Sequence, residues 1–61
     1  MLTMLIADDE PVIINGLKML IDWSQLGFEI CCTCENGSDA LSEILARKPD
    51  LALLDISMPG I

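Results

Sequence analysis

Leu2-Thr3-Met4-Leu5-Ile6-Ala7-Asp8-Asp9-Glu10-Pro11 is the stretch that decides the fold. Its apolar run, interrupted only by Thr3, has the pattern of a strand buried on both faces, and it stops abruptly at three consecutive acids. Pro11 suits the first turn of a helix, where its missing N–H is no loss. The acids just before it favour the positive end of that helix's dipole. A strand therefore ends in carboxylates and hands the chain to a helix.

Working outward, Val12, Ile13, Leu17, Leu20 and Ile21 recur at helical spacing, with Asn15, Lys18 and Asp22 on other faces. The stretch from Ile21 to Gly27 closes this helix, and Gly27 is the natural turn residue before the next element. Phe28 to Cys34 alternates, with Phe28, Ile30, Cys32 and Cys34 on one side and Glu29, Cys31 and Thr33 on the other. That predicts a half-buried strand at a sheet edge. Asn36 is placed to cap a second helix, with Asp39 three residues on in a weak relative of the capping box. Ala40, Leu41, Ile44 and Leu45 make its apolar stripe, Arg47 and Lys48 fall in its last turn, and Pro49 stops it. Leu51-Ala52-Leu53-Leu54 reads as a strand covered on both faces, ending at Asp55, and residues 56–61 read as a loop.

The order β-α-β-α-β predicts an α/β fold with parallel strands and right-handed crossovers. In the flavodoxin-like, doubly wound arrangement the strand order is 2-1-3, so the first and third strands are neighbours and the two helices cover opposite faces. Ligands bind such sheets at the carboxyl ends of the strands, where the chain reverses direction across the sheet. Those ends carry Asp8, Asp9 and Asp55. Crowded carboxylates raise one another's pKa or swing apart, and a divalent cation removes the penalty. Oxygen-only ligands select a hard ion, and Mg²⁺, which keeps waters and leaves room for phosphate oxygens, fits better than Ca²⁺. One carboxylate could then attack phosphorus as a nucleophile. Taken singly, the same residues have plainer roles: Asp9 and Glu10 complement a helix terminus, and Asp55 leaves a strand through a turn.

The composition narrows the alternatives. Ten acidic residues against three basic ones give a formal net charge of −7, which repels nucleic-acid phosphates, so DNA contact is expected only through a separate output domain. No apolar run approaches the roughly 20 residues of a membrane span and no basic n-region precedes a cleavable apolar segment, so a cytoplasmic protein with no membrane partner is expected. Cys31, Cys32 and Cys34 cannot pair in disulfide geometry along a straight strand, and zinc would lack ligands, so they read as reduced core thiols.

Three stretches carry a family resemblance: Leu5-Ile6-Ala7-Asp8-Asp9-Glu10-Pro11, Glu35-Asn36-Gly37-Ser38-Asp39-Ala40-Leu41, and the run from Pro49 through Asp55-Ile56-Ser57-Met58-Pro59-Gly60. Together they resemble the receiver domain of two-component response regulators. The resemblance implies that Asp55 accepts a phosphoryl group from a sensor histidine kinase. It also implies that Asp9 binds Mg²⁺ directly, Asp8 acts on it through water, and Ser57 lends its backbone carbonyl. It implies a switch, not an enzyme in the ordinary sense. Residues 20–29 are similar to receivers joined to AraC-type DNA-binding output domains, although Trp23, Leu26 and Phe28 also suit a simple apolar clasp between helix and strand.

A complete receiver has roughly twice this length, so residues 1–61 are expected to be an incomplete receiver domain, truncated after its third strand. The hydroxyl residue, lysine and aromatic switch residue of the family's second half have no counterpart here. Phosphotransfer in this segment is accordingly expected to be slow or absent, and its open third strand to invite self-association through the exposed edge. Two rival classes stand beside this reading. A haloacid-dehalogenase-type phosphohydrolase also forms an aspartyl phosphate, but its second acid follows the nucleophile by two residues, whereas Asp8 and Asp9 are adjacent. A receiver-like module that binds a partner without phosphorylation is disfavoured for the parent protein by the intact acid trio and stays open for this half alone.

Overall fold

The computed structural model describes residues 1–55, 57 and 58. Three strands, β1 (Leu2–Ala7), β2 (Phe28–Cys34) and β3 (Leu51–Leu54), alternate with two helices, α1 (Pro11–Leu20) and α2 (Gly37–Arg47). The sheet is parallel with order β2-β1-β3, as the flavodoxin-like reading requires. Of the loop expected over residues 56–61, Ile56, Pro59, Gly60 and Ile61 lie outside the described residues.

β1 is the centre of the molecule. Met4, Leu5 and Ile6 are essentially inaccessible to solvent, and each such side chain contributes about 1.5–3 kcal/mol by leaving water. Alternation sends Leu5 and Ala7 toward Ala40 and Ile44 of α2. Met4 and Ile6 point the other way, toward Ile14 and Leu17 of α1. The two helices therefore cover opposite faces. β3 is fastened to β1 at its start, where the Asp50 Oδ2 accepts from the Thr3 N–H at 2.8 Å and the Thr3 hydroxyl at 3.2 Å. The Asp50 N–H returns a bond to the Thr3 carbonyl at 2.9 Å.

Four expectations are corrected here. β2 does not keep Phe28, Ile30, Cys32 and Cys34 on one face. Its register against β1 shifts between Met4 and Leu5, which pair with Ile30 and Cys32, so Cys31 is an extra residue. A bulge of one residue exchanges the two faces of everything beyond it. Phe28 and Ile30 consequently pack on the α1 side, and Cys31, Cys32 and Cys34 on the α2 side.

The second correction concerns the helix faces. α1 buries Ile14 and half-buries Leu17, while Val12, Ile13 and Leu20 are exposed. In α2, Ala40 is buried and Ile44 half-buried, while Leu41 and Leu45 are exposed. Both helices carry two adjacent apolar lanes, and spacing alone does not say which lane meets the sheet. Third, Lys48 is not in the last turn of α2 but is its C-cap, with a left-handed φ of 48° and its N–H donating to the Ile44 carbonyl at 2.9 Å. Fourth, Leu26 stays out of the clasp expected at the end of α1, being exposed. Trp23 and Phe28 alone form it, edge to face with ring centres 6.5 Å apart, and the Trp23 indole N–H donates to the Leu17 carbonyl at 3.0 Å.

One further expectation is corrected: β3, read as covered on both faces, lies at the sheet edge with Leu51, Leu53 and Leu54 exposed, while the turn and cap readings hold. Gly27 adopts a φ of +87°, which favours glycine. The Asn36 Oδ1 accepts from the Asp39 N–H at 2.8 Å, and its amide donates to the Asp39 carboxylate at 3.0 Å. No described helix is long and apolar enough to cross a membrane.

Candidate functional site

The site is built from the last rungs of the β1 ladders. The Asp8 N–H donates to the Cys34 carbonyl at 3.0 Å, and the Asp55 N–H donates to the Ala7 carbonyl at 3.1 Å. Parallel pairing thus brings the carboxyl ends of β1 and β3 side by side, with Asp8 and Asp55 as the first residues past each strand. One carboxylate oxygen from each of Asp8, Asp9 and Asp55 lies within 4.8 Å of the other two. Asp55 is 47 positions beyond Asp8 in the chain, so only the fold makes them neighbours.

Asp8 and Asp55 are each held by a local device. The Asp8 Oδ1 accepts from the Glu10 N–H at 2.9 Å, which ties it to the chain entering α1. Glu10 supplies the N-cap backbone of α1 but makes no side-chain capping bond. The Asp55 Oδ1 accepts two bonds from Ser57, from its N–H at 3.0 Å and its hydroxyl at 2.8 Å. These two donors hold the Asp55 carboxyl below the ordinary aspartate range, the N–H contributing most and the hydroxyl next. The upward push expected from crowded carboxylates is not what governs Asp55: burial is the opposing influence, and hydrogen bonds to the charged form outweigh it. The Met58 N–H closes the turn on the Asp55 carbonyl at 3.1 Å, and the Met58 side chain is buried among Leu5, Ala7, Cys34 and Ala40.

Two contributions were missed from sequence. The family resemblance gives Ser57 only a backbone carbonyl, whereas its N–H and hydroxyl orient the Asp55 carboxylate; an Asp-x-Ser spacing is the signal for such a turn. The sequence places Met58 in a loop, but its side chain is buried in the core, and nothing in a Ser-Met-Pro stretch separates the two roles.

The donor set is consistent with a hard divalent cation. All three side-chain ligands are carboxylates; Asp9 is exposed while Asp8 and Asp55 are half-buried, which leaves room for water or phosphate oxygens beside the protein ligands. A shallow cavity of about 340 Å³ adjoins Ala7, Asp8, Leu54 and Asp55. A larger one of about 600 Å³ lies beside β2 between α1 and α2, and none of the three acids lines it; size alone does not make it the reactive centre.

Comparison with known families matches residues 4–61 to the response regulator receiver domain. The chain belongs to that family. The match covers all three acids and Ser57. Among individual relatives, the chain is 34% identical over 61 residues to the uncharacterized transcriptional regulatory protein YesN of Bacillus subtilis (strain 168). It is 41% identical over 59 residues to the transcriptional regulatory protein HptR of Staphylococcus aureus (strain NCTC 8325 / PS 47). The alignments take in 100% and 97% of this chain but only 17% and 23% of those two proteins. The solved REC domain of AraT, a response regulator from Geobacillus stearothermophilus, superposes with a TM-score of 0.92 at 37% identity. That superposition covers 98% of this chain and 46% of that one. This receiver domain carries Asp8, Asp9 and Asp55 at the carboxyl ends of two adjacent strands.

Proposed function

We propose that this receiver takes a phosphoryl group from a sensor histidine kinase onto Asp55, in a cytoplasmic response regulator that acts on transcription through a separate DNA-binding output domain. The observation that carries this reading is the convergence of Asp8, Asp9 and Asp55 within 4.8 Å, on a chain whose relatives include transcriptional regulators. The likeness of residues 20–29 to receivers with AraC-type output extends the proposal to the kind of output domain.

The Asp55 carboxylate is the nucleophile. Ser57 occupies its Oδ1, and no described residue hydrogen-bonds its Oδ2, so one oxygen is held while the other is free to attack. That oxygen forms a bond to phosphorus as the bond from phosphorus to the kinase imidazole nitrogen breaks, giving an acyl phosphate and a free histidine. Mg²⁺ would be held by Asp9, Asp8, Asp55 and the Ser57 backbone carbonyl, and its contribution is to offset the charge gathered between phosphate and carboxylates. Asp8, fixed through Glu10, keeps its partner acid at the rim of β1. Ser57 keeps Asp55 ionised and fixed in rotamer. In this role the domain is a switch whose product is its own modified side chain, not an enzyme with a released product.

The test is chemical. The chain is incubated with acetyl phosphate and Mg²⁺, the product is reduced with borohydride, and the modified residue is located by peptide mass. Slow labelling confined to Asp55 and lost in Asp55→Asn is the expected result. Labelling at another residue, or label that persists in Asp55→Asn, contradicts the assignment.

A further inference from the structure

We propose that Cys31 and Cys32 form a dithiol site for a thiophilic centre that needs only two protein sulfurs, the chemical class being the monosubstituted trivalent arsenicals. The bulge in β2 creates it. On a regular strand, adjacent side chains point to opposite faces; here the extra residue puts Cys31 and Cys32 on the same, α2-facing side. Their Sγ atoms are 3.7 Å apart. Both residues are half-buried, and Cys32 opens on the cavity of about 600 Å³ that Asp39, Glu43 and Arg47 also line. The Arg47 guanidinium reaches the Cys31 carbonyl at 3.4 Å, so a cation stands at the edge of the pair.

Chain geometry favours chelation over oxidation. Adjacent Cα atoms across a trans peptide are about 3.8 Å apart, whereas disulfides span a Cα separation of about 4.4–6.8 Å with sulfurs at about 2.05 Å. Closing a Cys31–Cys32 disulfide would therefore strain the backbone and draw the sulfurs far inward. A bridging atom needs much less movement: two bonds of about 2.3 Å at a tetrahedral angle, as in zinc thiolates, span about 3.8 Å between sulfurs. Zinc itself is not the fit, because it wants four ligands. Among the described residues the only group of three or more ligating side chains that converge is Asp8, Asp9 and Asp55. An arsenic bearing one carbon substituent is satisfied by two sulfurs and asks for nothing else. Cys34 is buried against Leu5, Ala7 and Ala40; its thiol meets that of Cys32, but it is nearly closed to solvent and so to an added arsenical. Burial pushes the Cys32 thiol up to about 12, so capture runs faster as pH rises.

The balanced step is R–As=O plus two thiols giving R–As bonded to both sulfurs and one water, with no change of oxidation state. The probe is phenylarsine oxide, added to the 61-residue chain under native conditions and followed by intact mass. One adduct is expected, removed by 2,3-dimercaptopropanol. Its resistance to 2-mercaptoethanol should exceed that of adducts on Cys31→Ser or Cys32→Ser on the order of a hundredfold, because the second sulfur is held at high effective concentration. In wild type, unfolding the adduct and adding iodoacetamide should alkylate Cys34 alone, which locates the bridge whether or not any Cys34 variant folds. Alkylation at Cys31 or Cys32 in that experiment, or an equally resistant adduct in Cys31→Ser, overturns the proposal. Ready closure of a Cys31–Cys32 disulfide by oxidised glutathione would overturn it as well.

Discussion

The Asp55 N–H meets the Ala7 carbonyl at 3.1 Å, and this rung puts the end of β3 beside the end of β1. It follows from the register Ala7 to Leu54, which begins 47 residues apart in sequence at the Thr3–Asp50 link. A shift of one residue in that pairing would turn Leu53 and Leu54 to the opposite faces and move Asp55 away from Asp8. The position of the acids is thus a property of strand pairing, and it is fixed at the far end of the strand as well as at the site.

Removing the Asp55 charge separates chemistry from architecture. Asp55→Asn keeps the backbone rung and should keep the fold, with thermal stability in the absence of divalent ions at or below wild type, because the Ser57 N–H and hydroxyl bond a neutral amide oxygen less strongly than a carboxylate. Phosphoryl labelling should vanish. Circular dichroism and acetyl phosphate labelling on the same sample check both halves.

Divalent cations should stabilise the chain through these acids. A ligand that binds only the folded state adds about 2.7 kcal/mol when present at 100 times its dissociation constant. Thermal melts should therefore rise in Mg²⁺, and the rise should shrink sharply in Asp9→Asn. An identical Mg²⁺ response in that variant would count against Asp9 as a ligand.

Acid should act on Asp55 in a defined direction. Its folded pKa is depressed, so its contribution to stability is fully present above the unfolded value of about 3.9 and is lost as pH falls from there through the folded value. Ser57→Ala deletes the 2.8 Å hydroxyl bond but leaves the N–H, so the Asp55 pKa should move part of the way back up. Carboxyl ¹³C titration reads the shift directly; an unchanged or lower pKa in Ser57→Ala contradicts the role given to the hydroxyl.

Two stability changes probe the frame. Asn36→Ala removes the α2 N-cap bond and should cost about 0.5–2 kcal/mol. Leu5→Ala opens a cavity in the most buried strand and should cost about 2–5 kcal/mol, a large share of what a domain this small possesses. Urea denaturation orders the two, with Leu5→Ala the more damaging.

Much of this was legible in the residues. The solid apolar run of β1, the punctuation by Pro11, Gly27, Asn36 and Pro49, and the placement of acids after strands one and three led to the observed order β2-β1-β3. What escaped was whatever a neighbouring strand or turn decides. The bulge at Cys31 arises from pairing with Met4 and Leu5, and a seven-residue alternating strand carries no mark of it. The inward lane of α1, through Ile14, is chosen by the shape of the sheet beneath it, since Val12, Ile13 and Leu20 are equally apolar. The Ser57 donors depend on a turn whose side chains fold back on Asp55, and the Met58 anchor depends on which way that turn leans.

The central claim is that Asp8, Asp9 and Asp55 form one binding site, and paramagnetic relaxation by Mn²⁺ in place of Mg²⁺ measures it directly. In ¹H–¹⁵N spectra of the labelled chain, amides of residues 8–10 and 55–57 should broaden together at the same low Mn²⁺ concentration, and both sets should recover in Asp55→Asn. Broadening restricted to residues 8–10, with residues 55–57 untouched, would mean that the third carboxylate stands apart from the other two.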